Sequence, residues 1–312
     1  MISERPIKKL KRSHSGVSTR DKKSYFGTSS ESIYVYDYQT TDLITKFQDV
    51  PYGDKLFLNE DNSLLVVKGT AGKIGVYDTK SLKLKYVVKM KGSSQPQDEN
   101  LCFSLCGKYL YNIVYVDTLL SHLVKIDLAD GSYENIYSRL NEVYSQIHFV
   151  KQHNLYYLFG FERGSSNRYF VRILNSDFVE CNEIELENSP SQVEYSPKED
   201  LFYINYLGNY SVKVLSKDFS KTIKEISSQT ITETIKGKHS KREVTSSVYG
   251  YIIGFSLSTD TLYLAITYVT AVVVFDDTGK EQRVFPMLCG SARFLNNSDE
   301  IMIKGDIYRI IK

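Results

Sequence analysis

Short runs rich in tyrosine and β-branched residues recur along the chain, each entered through a tight polar turn. The clearest copy is Asn100-Leu-Cys-Phe-Ser-Leu-Cys-Gly-Lys-Tyr-Leu-Tyr111. Aligning the first turn residue of each copy gives Thr19, Asn59, Ser104, Val150, Ser196, Ser256 and Leu295, with successive spacings of 40, 45, 46, 46, 60 and 39 residues. The runs that follow these turns include Leu64-Leu-Val-Val67, Leu155-Tyr-Tyr-Leu158 and Leu201-Phe-Tyr-Ile204. Runs of this length and content, bounded by Gly, Asn, Asp and Ser, predict strands.

A third run in each unit ends, in several copies, on a hydrophobic residue followed by Asp: Ile33-Tyr-Val-Tyr-Asp37, Ile74-Gly-Val-Tyr-Asp78, Leu123-Val-Lys-Ile-Asp127 and Val272-Val-Val-Phe-Asp276. Two copies drift to Ile173-Leu-Asn175 and Val214-Leu-Ser216. A more polar fourth run follows, such as Leu84-Lys-Tyr-Val-Val88. Four strands in about 40 to 45 residues have the period and content of one blade of a β-propeller.

The unit resembles the blade of the WD-repeat and YVTN-type β-propellers, whose shared pattern is Phe-Ser-Pro-Asp-Gly-Lys-Tyr-Leu-Tyr followed by an Ile-x-Val-Tyr-Asp strand. Phe103-Ser-Leu-Cys-Gly-Lys-Tyr-Leu-Tyr111 and Tyr195-Ser-Pro197 carry the likeness best. The chain has no tryptophan and no Gly-His dipeptide opening a blade. The hydrogen-bonded His-Ser-Asp-Trp network of a strict WD repeat therefore cannot form, and the resemblance is to a degenerate propeller. It implies an all-β fold of seven four-stranded antiparallel blades in a single domain spanning 1–312.

The two ends of the chain fit that expectation. The seventh unit offers three strands, Ala292 to Leu295, Ile301 to Lys304 and Ile307 to Ile311, and the segment Arg5 to Lys11 is free to supply the fourth. Such closure removes the exposed sheet edges of an open array. Lys8, Lys9, Lys11 and Arg12 then read as lysine-rich edge positions facing water, with a nuclear-import signal or a phosphate-binding arm as the competing reading.

Composition narrows the function classes. Lys and Arg number 39 against 37 Asp and Glu, a net charge of +2, which gives no overall drive toward nucleic acid. The four cysteines, Cys102, Cys106, Cys181 and Cys289, lack the second ligand pair of a zinc site. The basic, polar N-terminus lacks a signal-peptide core and no run reaches membrane-spanning length, so a cytoplasmic location is expected, with nuclear import open to a eukaryotic chain. No membrane partner, no metal and no cofactor are expected, and the protein is expected to be a monomer.

Candidate chemistry in a propeller lies where first strands line its centre. Counting back from each turn brings Lys55, Asn100, Gln146 and Gln192 to one level, and His148, Glu194 and Arg293 to the next. A His, a Glu and an Arg in one place would suit acid/base hydrolysis of a small sugar lactone or ester, the chemistry of propeller lactonases. The Pro-Arg-His opening of those enzymes is missing here, and glutamine, at Gln146 and Gln192, moves no proton at neutral pH.

A recognition surface is the stronger expectation. Loops between fourth and first strands, and between second and third, share one face of a propeller. They place Tyr52, Tyr144, Arg163, Tyr249 and Tyr268 there, residue types that anchor protein interfaces. The one long insertion, from about 227 to 248, joins the fifth and sixth units on that face. It is rich in Ser, Thr and Lys and longer than a usual connection, which reads as a mobile or functional segment, with a tolerated surface insertion as the equal alternative. The expected function is a non-catalytic scaffold for a protein or peptide partner.

Overall fold

Strands covered on both faces need apolar side chains at consecutive positions, and the second and third runs of each unit supply them. The computed structural model describes residues 2–29, 31–51, 53–69, 72–90, 101–164, 166–236, 241–287, 291–296 and 299–311. After β1 (Lys8–Lys9) the chain forms meander upon meander. The first is β2 (Ser15–Ser18), β3 (Ser24–Thr28), β4 (Ile33–Asp37) and β5 (Leu43–Phe47). The second is β6 (Gly53–Leu58), β7 (Leu64–Gly69), β8 (Lys73–Asp78) and β9 (Lys83–Lys89). The third is β10 (Leu101–Phe103), β11 (Tyr109–Tyr115), β12 (Ser121–Asp127) and β13 (Tyr133–Tyr137). The fourth is β14 (Glu142–Val150), β15 (Leu155–Glu162), β16 (Arg168–Leu174) and β17 (Glu180–Leu186).

The fifth blade is β18 (Pro190–Ser196), β19 (Leu201–Tyr206), β20 (Val212–Ser216) and β21 (Thr222–Ile226), followed by a hairpin of β22 (Thr230–Lys236) and β23 (Lys241–Ser247). The sixth is β24 (Ile252–Leu257), β25 (Tyr263–Tyr268), β26 (Ala271–Asp276) and β27 (Glu281–Pro286). The last comprises β28 (Ala292–Phe294), β29 (Glu300–Ile303) and β30 (Asp306–Arg309), in a sheet of order β1-β30-β29-β28. Seven four-stranded antiparallel sheets of this kind are the blades of a β-propeller.

By contact the chain falls into two compact units, 8–189 with 295–297, and 1–7 with 190–294 and 298–312. In the first, the core lies between successive sheets. Val66, Val76 and Val88 of the second blade pack with Leu110, Val124 and Ile126 of the third. In the second unit Tyr203, Val212 and Val214 pack with Ile266, Val273 and Phe275. Middle strands are buried almost throughout, as in β7 and β8, whereas outer strands such as β5 and β9 are mostly exposed. Each fully buried Val, Leu, Ile or Phe contributes about 1.5 to 3 kcal/mol.

The recurring turn residues do defined work. The side-chain oxygens of Thr19, Asn59, Ser104 and Ser258 accept the backbone N–H five residues on, from Ser24, Leu64, Tyr109 and Tyr263, at 3.1, 2.8, 3.0 and 3.0 Å. Ser258, not Ser256, is therefore the turn residue of the sixth blade, two positions later than the sequence alignment placed it. The recurring Asp also has a local cause. Asp37 Oδ1 accepts the N–H of Gln39 and of Thr40, both at 2.8 Å, and Asp78 Oδ1 accepts that of Ser81 at 2.6 Å. Asn175 takes the same role in one of the two blades whose sequence drifted, and in the other Ser216 accepts the N–H of Lys221 instead.

The chain start pairs with its end as expected. Ile2 bridges Ile310, the N–H of Ser3 donates to Arg309 O at 2.9 Å, and that of Ile7 donates to Ile307 O at 2.7 Å. Lys8 does not simply face water. Its ammonium donates to Tyr38 O at 2.6 Å and to the Tyr25 hydroxyl at 3.1 Å, and lies 3.9 Å from the centre of the Tyr38 ring. Much of the insertion from 227 to 248 is the β22–β23 hairpin, because Thr-Ile-Thr-Glu-Thr-Ile alternates with the two-residue period of a strand.

Candidate interaction surface

Where strands of a blade meet its connecting segments, backbone groups left over by the ladder must find partners, and these partners set the geometry of the face. In the first unit, the N–H of Arg163, after β15, donates to Asn141 O at 2.9 Å. This holds the turn after β15 beside the segment entering β14. Arg163 is exposed, with its guanidinium 5.7 Å from the Phe161 ring centre.

Tyr144 lies close by in sequence but not on the surface. It is fully buried, and its hydroxyl donates to Glu142 Oε2 at 2.9 Å. Glu142 in turn pairs with the buried Arg172, through Nη1 and through Nη2 at 2.9 Å. Arg172 also bonds Glu183 and lies 2.9 Å from Glu180, while Arg168 reaches Glu183 at 2.5 Å and Glu162 at 2.9 Å. Burial works against the Arg172 cation, but its hydrogen bonds to Glu142 and Glu183 outweigh that and hold its pKa above the ordinary value. Burial, with the Glu142 charge, likewise pushes the Tyr144 hydroxyl up. Tyr144 is thus an internal anchor rather than a contact residue, because the ion network draws its ring and hydroxyl inward.

The second unit builds a corner from three segments. The N–H of Ser228 donates to the Tyr268 hydroxyl at 2.9 Å, and that hydroxyl donates to Tyr210 O at 3.4 Å. The N–H of Thr270 donates to Tyr249 O at 3.2 Å, and that of Ile252 to Asn209 O at 3.4 Å. The turn after β19, the turn after β25 and the β21–β24 connection are thereby tied together. Tyr268 is fully buried, which corrects its placement on the surface: it is the last residue of β25 and roots the hairpin from inside. Tyr249 is half-buried, its ring 6.0 Å from that of Tyr268. Tyr52 and Asn100 lie outside the described residues.

This corner exposes several apolar side chains. Leu207 is 68%, Tyr251 62% and Ile253 48% exposed, and Val248 stands at the foot of the hairpin. Ile253 sits on a β-bulge between Ile252 and Gly254. The same bulge recurs in three other first strands, where the extra residue is Asp54, Ser145 or Ser191. No signal in a single strand marks Leu207, Tyr251 and Ile253; comparison of bulge positions between blades would have found Ile253.

Two of the first-strand polar residues, Gln192 and Glu194, tie neighbouring strands together. Gln192 donates to Phe255 O at 2.7 Å and accepts the Phe255 N–H at 2.9 Å. Glu194 accepts the N–H of Leu257 at 2.8 Å and the Gln192 amide at 3.1 Å. One blade on, the Ser256 hydroxyl accepts the N–H of Phe294 at 3.0 Å. Gln146 is buried, while Lys55, His148 and Arg293 are half-buried. His148 packs edge-on to Phe159 at 5.9 Å. Cys102, Cys106 and Cys181 are free thiols. Among the described residues no group of three or more His, Cys, Asp or Glu is arranged to hold a metal ion, and no helix is long and apolar enough to cross a membrane.

The sequence matches no known protein family and no curated relative. Solved structures do share its fold. The chain is similar to the β-propeller domain of Cps50 (Swd1) from Myceliophteria thermophila, with a TM-score of 0.71 and 8% identity over 100% of both chains. It is also similar to hydrazine synthase from Kuenenia stuttgartiensis, with a TM-score of 0.66 and 12% identity over 99% of this chain and 97% of that one. At such low identity the likeness shows the fold alone: the chain is a seven-bladed β-propeller.

Proposed function

We propose that this protein is a non-catalytic propeller scaffold that binds a protein partner through the corner formed by its fifth and sixth blades. The observation that carries the reading is Ile253, an exposed isoleucine at a bulge where three other blades place Asp54, Ser145 and Ser191. An apolar residue kept in water at a position that is polar in three other blades, in a corner that also exposes Leu207 and Tyr251, marks a surface that another molecule covers. Aromatic and aliphatic anchors of this kind dominate the energetics of protein interfaces. The free thiols fit an intracellular, reducing location.

The lactonase reading fares less well, since Gln192 and Glu194 are engaged by the backbone of Phe255 and Leu257 as ties between strands. Turnover in a lactone and ester screen, abolished by Glu194→Ala in a protein that stays folded, would restore it. The scaffold reading is tested by the triple substitution Leu207→Ser, Tyr251→Ser and Ile253→Thr. Partner capture from the native lysate is expected to drop by about tenfold or more, with each exposed change costing at most about 0.5 kcal/mol of stability. Capture equal to that of the parent protein rejects this surface.

A further inference from the structure

Among the described residues, β22 and β23 pair with each other and with no other strand. A two-stranded ribbon is marginally stable in water, and a third strand or a packed face is what makes such a ribbon durable. Here the root alone is secured. Ser228 and Ser247 join through their hydroxyls, the Val248 N–H donates to Gln229 O at 3.0 Å, and Tyr268 holds Ser228 from below. Beyond the root, both long edges offer backbone N–H and C=O groups to an incoming strand.

Edges of native sheets are blunted with proline, bulges or charged side chains; along its paired length this hairpin has no proline and no bulge, and its basic residues gather at the outer end. Its register is continuous from Thr230↔Ser247 to Lys236↔Lys241. Seven of its fourteen paired residues are β-branched: Thr230, Ile231, Thr232, Thr234, Ile235, Val244 and Thr245. Such residues favour an added strand. Register also sets the charge: Lys236, Lys241 and Arg242 share the outer end, whereas Glu233 and Glu243 are its only acidic positions.

Resting on the partner-binding reading above, we propose that this hairpin is a strand-addition site that takes an extended acidic segment of the partner protein as a third strand. Backbone pairing along one edge supplies the affinity, and acidic residues of the segment match in charge the basic register positions 236, 241 and 242. The apolar corner at Leu207, Val248 and Tyr251, at the foot of the hairpin, then covers the part of the partner that continues from the segment.

The test uses the full chain and a fluorescent synthetic peptide of alternating Val and Glu, about ten residues long to match one edge. Anisotropy at low ionic strength is expected to show binding that weakens about tenfold or more for a Val-Lys peptide and for a peptide with Pro at alternate positions. Lys241→Glu with Arg242→Glu is expected to weaken it about tenfold, and amide exchange is expected to slow in the hairpin when peptide binds. Equal binding of all three peptides, or unchanged exchange in the hairpin, overturns the proposal. So does a dimer in sedimentation that forms through the hairpin and excludes the peptide. Partner capture that survives the Lys241→Glu and Arg242→Glu pair but fails with the Leu207, Tyr251 and Ile253 triple removes strand addition and leaves the surface reading standing.

Discussion

Replacing Arg172 with methionine probes how the fourth blade tolerates charge in its core. The Arg172 side chain is 1% exposed and faces three carboxylates of unequal burial: Glu142 at 7%, Glu183 at 24% and Glu180 at 29%. Glu183 keeps Arg168 at 2.5 Å and Glu180 keeps Arg139 at 2.7 Å, so these two lose little. Glu142 is left with the Tyr144 hydroxyl and no cation. An uncompensated buried charge of this kind costs about 3 to 5 kcal/mol. At roughly 2 to 4 °C per kcal/mol for a large domain, the melting temperature of Arg172→Met is expected to fall by about 6 to 20 °C. Adding Glu142→Leu removes the stranded charge, and the double variant is expected to regain most of the loss. Thermal melts with amide exchange along β14 and β16 measure both effects. A single variant that loses less than about 1 kcal/mol, or a double variant less stable than the single, refutes the reasoning.

Tyr268→Phe removes the hydroxyl between Ser228 and Tyr210; a loss of about 1 to 3 kcal/mol and faster amide exchange at Ser228 are expected. Unchanged exchange there would show that the hairpin is rooted elsewhere. Acid should weaken the fold through its turn caps. The N–H groups of Thr40 and Gln39 at Asp37, and of Ser81 at Asp78, hold both carboxyls below their ordinary value of 3.8. A depressed folded pKa adds stability that is complete above the unfolded value and lost as pH falls through the folded one. The melting temperature is therefore expected to hold down to about pH 5 and to drop below about pH 4. Asp37→Asn with Asp78→Asn, which keeps the cap as Asn175 does, should shallow that drop; an unaltered acid limb contradicts the assignment.

The blade repeat was legible because its signals are local demands of the backbone. A turn whose side-chain oxygen takes the N–H five residues on calls for Ser, Thr or Asn, and a strand end that opens a turn calls for Asp. The slip in the sixth blade has a plain origin. Phe255-Ser256 and Leu257-Ser258 both fit the pattern, and only the hydrogen bond from Tyr263 to Ser258 chooses between them. Tyr144 and Tyr268 were misplaced because their position along the chain is at the face, whereas their burial depends on residues from distant strands: Tyr144 follows Glu142 into its ion pair with Arg172, and Tyr268 meets Ser228, 40 residues away. The Arg172 network was invisible for the same reason: its partners lie 30 and 11 residues away on other strands. The hairpin alternation was present in the sequence, but its Ser, Thr and Lys content masked it.

The most direct test of the account installs a photo-crosslinking amino acid at Tyr251, in the proposed corner, or at Leu43, a residue 50% exposed on the outer strand β5. Irradiation in the native cell is expected to give a defined crosslinked partner from position 251 and none of that species from position 43. The same crosslinked species from both positions, or from position 43 alone, would contradict the claim that the corner of the fifth and sixth blades is where this propeller meets its partner.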